Sequence, residues 1–423
     1  MEDKKFTNQS FSLFLLLLIS TSFSFFFSTT FFSAQKAHAE FWSESVLSHV
    51  DQYELPYKDP FVSTLLGTCT VKGVKLKELP ASVSEWTIPA LGMSDSKMDV
   101  LRAIQTNEVG IAQKAPLLFV VPGAFSTLGG NQASRWLKRF TNKGYHTIVL
   151  PNPWGVDYIK HKPFAPLGDV VAEAGVLYSA MQWILSSFQS ASLVEGKVEL
   201  VGLSHGGFLA SIINALDAEN SRGILSGPTT SIAPPVDLGA TLELLDQHMK
   251  ETKDPYAGMG TVSVYWKAYK LCNKRSYEAW TEEDLFDAKG VTLERGFHDP
   301  LVRSIRKYDK EWDLNSIPFK GLRFLSRGYR RWKQNMNFGK YFETYNPRGR
   351  ALLESKKGEL SYWIDRARAA GRDNLRILTA QDDFLNEENA YDRFDRELIL
   401  LEDGGHYGYR DLMWFEDFIY LAF

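Results

Sequence analysis

The segment Lys197-Val198-Glu199-Leu200-Val201-Gly202-Leu203-Ser204-His205-Gly206-Gly207-Phe208 carries more structural information than any other in the chain. Its apolar run, Lys197 to Val201, reads as a strand, and a helix-like stretch begins near Phe208. Between them a serine stands in the pattern Gly-x-Ser-x-Gly. A serine at a tight strand-to-helix turn has its hydroxyl pushed out of the backbone into a pocket. The flanking glycines are needed because neighbouring chain packs closely against such a turn.

Two later segments complete a chemical set. Asp382-Asp383 follows the strand-like run Leu375 to Ala380, and Gly404-Gly405-His406 follows the run Glu397 to Leu401. A serine hydroxyl needs a base at neutral pH, and the base needs a carboxylate to hold its tautomer. Of eight histidines, His38 falls in the leader described below and His146 opens a strand at the wrong end of a sheet. His49, His248 and His298 sit outside the strand pattern. His205 adjoins the serine, so its side chain is expected to turn away while its amide is used. His161 lies in a loop at the correct end and is the rival. His406, flanked by glycines that let its loop approach the serine, is the first choice. Asp383 is the preferred carboxylate, with Asp382 and Asp237 as alternatives; Asp403 is too near His406 to bend back onto its ring.

A tetrahedral intermediate needs amide donors for its oxyanion. One is expected from His205. The other is expected from Pro122-Gly123-Ala124-Phe125, which follows the apolar run Leu117 to Val121. Ala124 is assigned, with Phe125 as the alternative.

These runs belong to a wider alternation. Asn131 is expected to cap a helix through Phe140 closed by Gly144, and His146 to Leu150 reads as a strand. Asp169 to Phe188 has helical spacing, Thr229 to Ala233 reads as a strand, and Asp411 to Leu421 as a closing helix. Thr68 to Lys75, Glu85 to Ala90 and Asp99 to Ile104 are candidate opening strands. Strands alternating with helices predict an α/β fold with a mostly parallel sheet and helices on both faces. Ligands bind such sheets at the carboxyl ends of their strands. Residues 238–371 break the alternation and read as a helical cap insertion. The core is then residues 40–237 and 372–423.

The chain has 423 residues and a formal charge of −3, so nothing global points to nucleic acid. Lys4 and Lys5 precede an apolar run from Phe11 to Phe32, and Ala37-His38-Ala39 resembles a signal-peptidase site. Residues 1–39 therefore read as a signal peptide, with an uncleaved anchor as the alternative. The chain is expected to be exported, to the periplasm or outside the cell. The only cysteines, Cys69 and Cys272, are either bridged or two buried thiols. No spacing fits a metal site and no cofactor is expected. The basic, aromatic stretch from Arg323 to Tyr341 reads as a solvated helical face, with peripheral membrane contact through the cap as the sharper alternative.

The ordered segments resemble those of the α/β-hydrolase superfamily from about Leu117 to the C-terminus. The chain is similar to the YheT-like branch of esterases and lipases in Pro122-Gly123, Asn152-Pro153-Trp154-Gly155, the Gly202 elbow, Pro235-Val236-Asp237-Leu238, Asp382-Asp383-Phe384 and Gly404-Gly405-His406. The resemblance implies an α/β-hydrolase fold and a triad of Ser204, Asp383 and His406. It departs from the branch at Pro122, where histidine is usual, at Phe384, where proline is usual, and at His205, where leucine is usual. The expectation is an exported serine hydrolase acting on a small-molecule or lipid ester through an acyl-enzyme. A non-catalytic binding protein on the same fold, or an amidase or thioesterase, is the alternative.

Overall fold

The apolar strands sort their side chains between two cores, one on each face of a single sheet. In β3 (Ala115–Val121), Leu117, Phe119 and Val121 enter one buried cluster, and Leu118 and Val120 enter the other. This follows from the two-residue period of a strand covered on both faces. The structure is a computed structural model that describes residues 41–69, 79, 81–93, 95–163, 165–252, 261–274, 280–314 and 327–423. The leader lies outside these residues. Residues His38–Phe423 form one compact unit.

The eight strands are β1 (Ala81–Pro89), β2 (Lys97–Gln105), β3, β4 (His146–Val149), β5 (Val194–Leu203), β6 (Thr229–Ile232), β7 (Leu375–Ala380) and β8 (Leu398–Leu401), in the order β1-β2-β4-β3-β5-β6-β7-β8. The β1–β2 and β2–β4 pairs are antiparallel, and every pairing from β4 to β8 is parallel. Helices Val170–Ser190 and His205–Glu219 bury their apolar side chains in the first cluster. Helices Asn131–Asn142 and Met413–Ala422 fill the second, on the opposite face. The order of a mostly parallel sheet, and the serine turn after its central strand β5, make this an α/β-hydrolase fold.

Several sequence boundaries move. The β5 helix starts at His205 rather than near Phe208, because Ser204 itself is the residue before the first turn. Gly130, not Asn131, is the N-cap of the next helix; Asn131 is its first residue. Strand β8 begins at Leu398, one residue later than expected; the Glu397 carbonyl before it accepts both the Trp42 indole and the Ile377 amide. Glu85 to Ala90 and Asp99 to Ile104 fall largely within β1 and β2. Of Thr68 to Lys75, Thr68 and Cys69 form a turn after helix Pro60–Leu66; the rest lies outside the described residues.

Between β6 and β7 the described residues hold helices and no strand. Helix Leu238–Glu251 leaves the end of β6, and helix Leu360–Ala369 packs on His205–Glu219 before β7 begins. Among the described residues no helix is long and apolar enough to cross a membrane.

The two cysteines are bridged. Cys69, just past helix Pro60–Leu66, joins Cys272 at the end of helix Thr261–Cys272, across 203 residues of chain. Closing so long a loop removes much unfolded-state entropy, up to about 5 kcal/mol in the chain-entropy model. Reducing the bridge, or replacing both cysteines by serine, is expected to lower the unfolding midpoint by several degrees in a thermal scan. An unchanged midpoint would show that the bridge adds no stability.

Candidate active site

Every strand end that carries a predicted site residue opens on the same side of the sheet, as parallel pairing requires. The geometry begins with glycines. A Cβ on Gly202 would collide with the Gly206 carbonyl, and one on Gly206 would collide with the carbonyls of Val121 and Pro122. Ser204 sits between them at φ 52°, ψ −125°, a conformation that costs a non-glycine residue about 1–3 kcal/mol. Its amide donates to the Ile232 carbonyl at 2.8 Å, and its carbonyl accepts from Gly207 and Phe208. The backbone is held by β6 on one side and by the helix on the other, which leaves the hydroxyl projecting into a cavity.

His406 meets that hydroxyl. Its Nε2 lies 2.8 Å from Ser204 Oγ, and its Nδ1 lies 3.0 and 3.2 Å from the two oxygens of Asp383. Asp383 is buried and also accepts the Leu385 amide at 3.0 Å. A carboxylate facing Nδ1 makes that nitrogen the donor and leaves Nε2 to accept the serine proton. The rings of Phe384 and Phe297 stand 6.0 and 6.2 Å from the imidazole, and Phe61 stacks on Phe384 at 4.3 Å.

The loop bearing His406 is anchored twice. Gly405, at φ 53°, packs so that a Cβ would collide with the Pro60 carbonyl. The Gly405 amide donates to Asp382 Oδ1 at 2.8 Å, and the His406 amide donates to Thr64 Oγ1 at 2.8 Å. Asp382 therefore contacts the loop backbone instead of the ring. Burial pushes its carboxyl up to about 7, the Gly405 amide opposes this, and the charges of Asp403 and Asp383 add to the rise. Asp237 is the N-cap of helix Leu238–Glu251 and accepts the Ala240 amide at 3.0 Å. His161 pairs with Asp99 at 3.2 Å and Asp95 at 3.5 Å. Sequence reasoning missed Thr64, which sits on a helix that no pattern ties to the later segments.

The turn after β3 lies directly against the serine: a Cβ on Gly123 would be 3.4 Å from Ser204 Cβ. Ala124, Phe125, Ser204 and His205 line one cavity that is open at its mouth. Trp154, Phe297, Phe338, Phe342, Leu242 and Leu245 supply much of the remaining wall. Thr241 turns its hydroxyl to the Leu385 carbonyl, so it too offers the cavity no free donor.

The His205 side chain is buried beneath this wall. Its Nδ1 is 3.3 Å from the Asn152 side-chain amide, and its Nε2 is 3.9 Å from Glu173 Oε2. Neither Nε2 nor Oε2 has a hydrogen-bond partner. Burial lowers His205 to about 4 and raises Glu173 to about 8, with the Gly168 amide opposing the latter. Burial thus favours the neutral form of both groups. Among the described residues no group of three or more His, Cys, Asp or Glu is placed to hold a metal ion.

No family model matches the chain, and no curated protein matches it in sequence. Solved structures do. An esterase from Pyrobaculum calidifontis aligns at 14% identity and TM-score 0.42 over 90% of this chain and 97% of its own. A Rhizomucor miehei esterase aligns at 12% identity and TM-score 0.45 over 87% and 98%. The acylaminoacyl peptidase of Pyrococcus horikoshii aligns at 9% identity and TM-score 0.40, covering 81% of this chain but 40% of that one.

The buried pair yields a pH signature. His205 is depressed in the fold, so its contribution is present above the ordinary value of 6.5 and is lost as pH falls toward 4. Glu173 is raised, so its contribution is full below 4.5 and is lost as pH rises through about 8. Glu173→Gln keeps an acceptor for Gly168 and removes that second loss. Its stability relative to wild type is expected to rise between pH 5 and pH 8 in denaturant titrations. A constant difference across that range would contradict a protonated Glu173.

Proposed function

We propose that this chain is an exported serine hydrolase that cleaves carboxylic esters with an apolar acyl part. The single observation that carries the reading is the continuous hydrogen-bonded line from Asp383 through both His406 nitrogens to Ser204 Oγ. It opens on an apolar cavity. Ser204 Oγ attacks the ester carbonyl as its proton passes to His406 Nε2. Asp383 holds the imidazole and stabilises its charged form. The carbonyl oxygen becomes an oxyanion, which takes hydrogen bonds from the amides of Ala124 and His205, each worth about 3 kcal/mol in the transition state. His406 then returns its proton to the leaving alkoxide, and an acyl-enzyme remains. Water, deprotonated by the same ring, releases the acid and restores the serine.

The apolar lining of the cavity supports an uncharged acyl group. We assign the cap within residues 238–371, because Leu242, Leu245, Phe297, Phe338 and Phe342 from them line the cavity; helix Leu360–Ala369, packed on His205–Glu219, belongs with the core. Export is supported by the leader-like residues 1–39 and by the Cys69–Cys272 bridge, which persists in oxidising compartments.

Labelling by a fluorophosphonate probe is expected in wild type and absent in Ser204→Ala. His406→Ala is expected to lose nearly all turnover, and Asp383→Asn to lower kcat by about 10²–10⁴-fold. Asp382→Asn keeps an oxygen for the Gly405 amide and is expected to stay within about tenfold of wild type. Activity on p-nitrophenyl octanoate is expected to exceed that on the acetate. Folded wild-type protein that neither labels nor turns over any ester would refute the reading. Faster turnover of amides or thioesters would refute the ester assignment alone.

A further inference from the structure

The two amides assigned to the oxyanion sit on different loops, one after β3 and one after β5. Their spacing therefore depends on whatever ties those loops together. Asn152, in the loop after β4, is fully buried and touches both. Its side-chain NH₂ donates to the Pro122 carbonyl at 2.8 Å and lies 3.3 Å from His205 Nδ1. Its Oδ1 accepts the Trp154 amide at 3.0 Å.

That last bond fixes which way the amide faces, so both N–H groups point across the gap between the loops. His205 Nδ1 is then an acceptor, and the ring proton sits on Nε2, toward Glu173 Oε2 at 3.9 Å. Pro122 lies two residues before Ala124, and His205 is itself the other donor residue. The loop bearing Asn152 packs tightly on the first: a Cβ on Gly155 would be 2.5 Å from the Ser126 carbonyl oxygen. One planar group thus spans the two halves of the anion site from behind.

We propose that Asn152 is a positioning residue, which sets the separation of the Ala124 and His205 amides by clamping the turn after β3 to the side chain of His205. The proposal rests on the serine-hydrolase reading. Donor spacing matters most where charge develops, so the clamp acts on the transition state more than on substrate binding. A buried asparagine that merely satisfied its loop would affect stability and leave the kinetic constants alone.

The test is steady-state kinetics of Asn152→Ala and of the near-isosteric Asn152→Leu, which keeps the shape but loses both donors and serves if the alanine variant does not fold. For each, kcat is expected to fall about 10²-fold with KM within about threefold. A trifluoromethyl ketone that adds to the serine is expected to lose affinity in step with kcat/KM. His205→Gln, whose oxygen can accept from Asn152, is expected to keep more kcat than His205→Leu. Wild-type kcat in the folded Asn152 variants, a loss expressed in KM alone, or equal kcat for the two His205 variants would overturn the clamp. A wild-type protein with no turnover and no fluorophosphonate labelling would remove the reading beneath it, and the clamp with it.

Discussion

The hydrogen bond between His406 Nε2 and Ser204 Oγ joins two residues 202 positions apart, and the surrounding structure is arranged to hold its two ends. At one end, glycines let β5 turn into a helix with no Cβ in the way, and Ser204 accepts a left-handed backbone conformation. At the other, Gly405 lets the histidine loop settle onto helix Pro60–Leu66, where Thr64 takes the His406 amide, while Asp382, after β7, takes the Gly405 amide. The energetic burden of the strained serine is carried by the sheet and by the helix that starts behind it. Helix Pro60–Leu66 is thus part of the site's scaffold although it contributes no group to the reacting line.

The adjacent carboxylates show how environment separates chemically identical groups. Asp383 points at an imidazole nitrogen and accepts a backbone amide. Asp382 points at the loop that carries that imidazole, and burial favours its neutral form. One holds the ring and its neighbour holds the ring's backbone. The same logic separates His406 from His205. The first faces a carboxylate and a hydroxyl; the second lies beneath an apolar wall where burial favours its neutral form, with its backbone amide turned to the cavity side in the proposed mechanism.

Much of the site was legible in the sequence because its glycines are required locally. Gly202, Gly206 and Gly405 each sit where a side chain would strike a backbone carbonyl, so they mark their turns in one dimension as well as three. The apolar runs of β3, β5 and β7 were legible for the same reason: strands covered on both faces need unbroken hydrophobic residues. Thr64, Glu173 and the clamping contacts of Asn152 were not legible in this way. Their roles arise from segments that meet only on folding, and a lone threonine, a helical glutamate or a loop asparagine carries no local mark of its partner. The cysteine bridge was undecidable on the same ground, since 203 residues separate its ends. The helix start at His205 was misplaced because His205, Gly206 and Gly207 interrupt the apolar period that signals a helix.

The most direct test of the central claim is a crystal structure of the protein after reaction with a small alkyl phosphonate. A phosphorus–oxygen bond is expected at Ser204, with the phosphoryl oxygen within about 3 Å of the amides of Ala124 and His205. The alkyl chain is expected to lie among Phe338, Phe342 and Leu245. An adduct on any other residue, or a phosphoryl oxygen turned away from both amides, would contradict that claim.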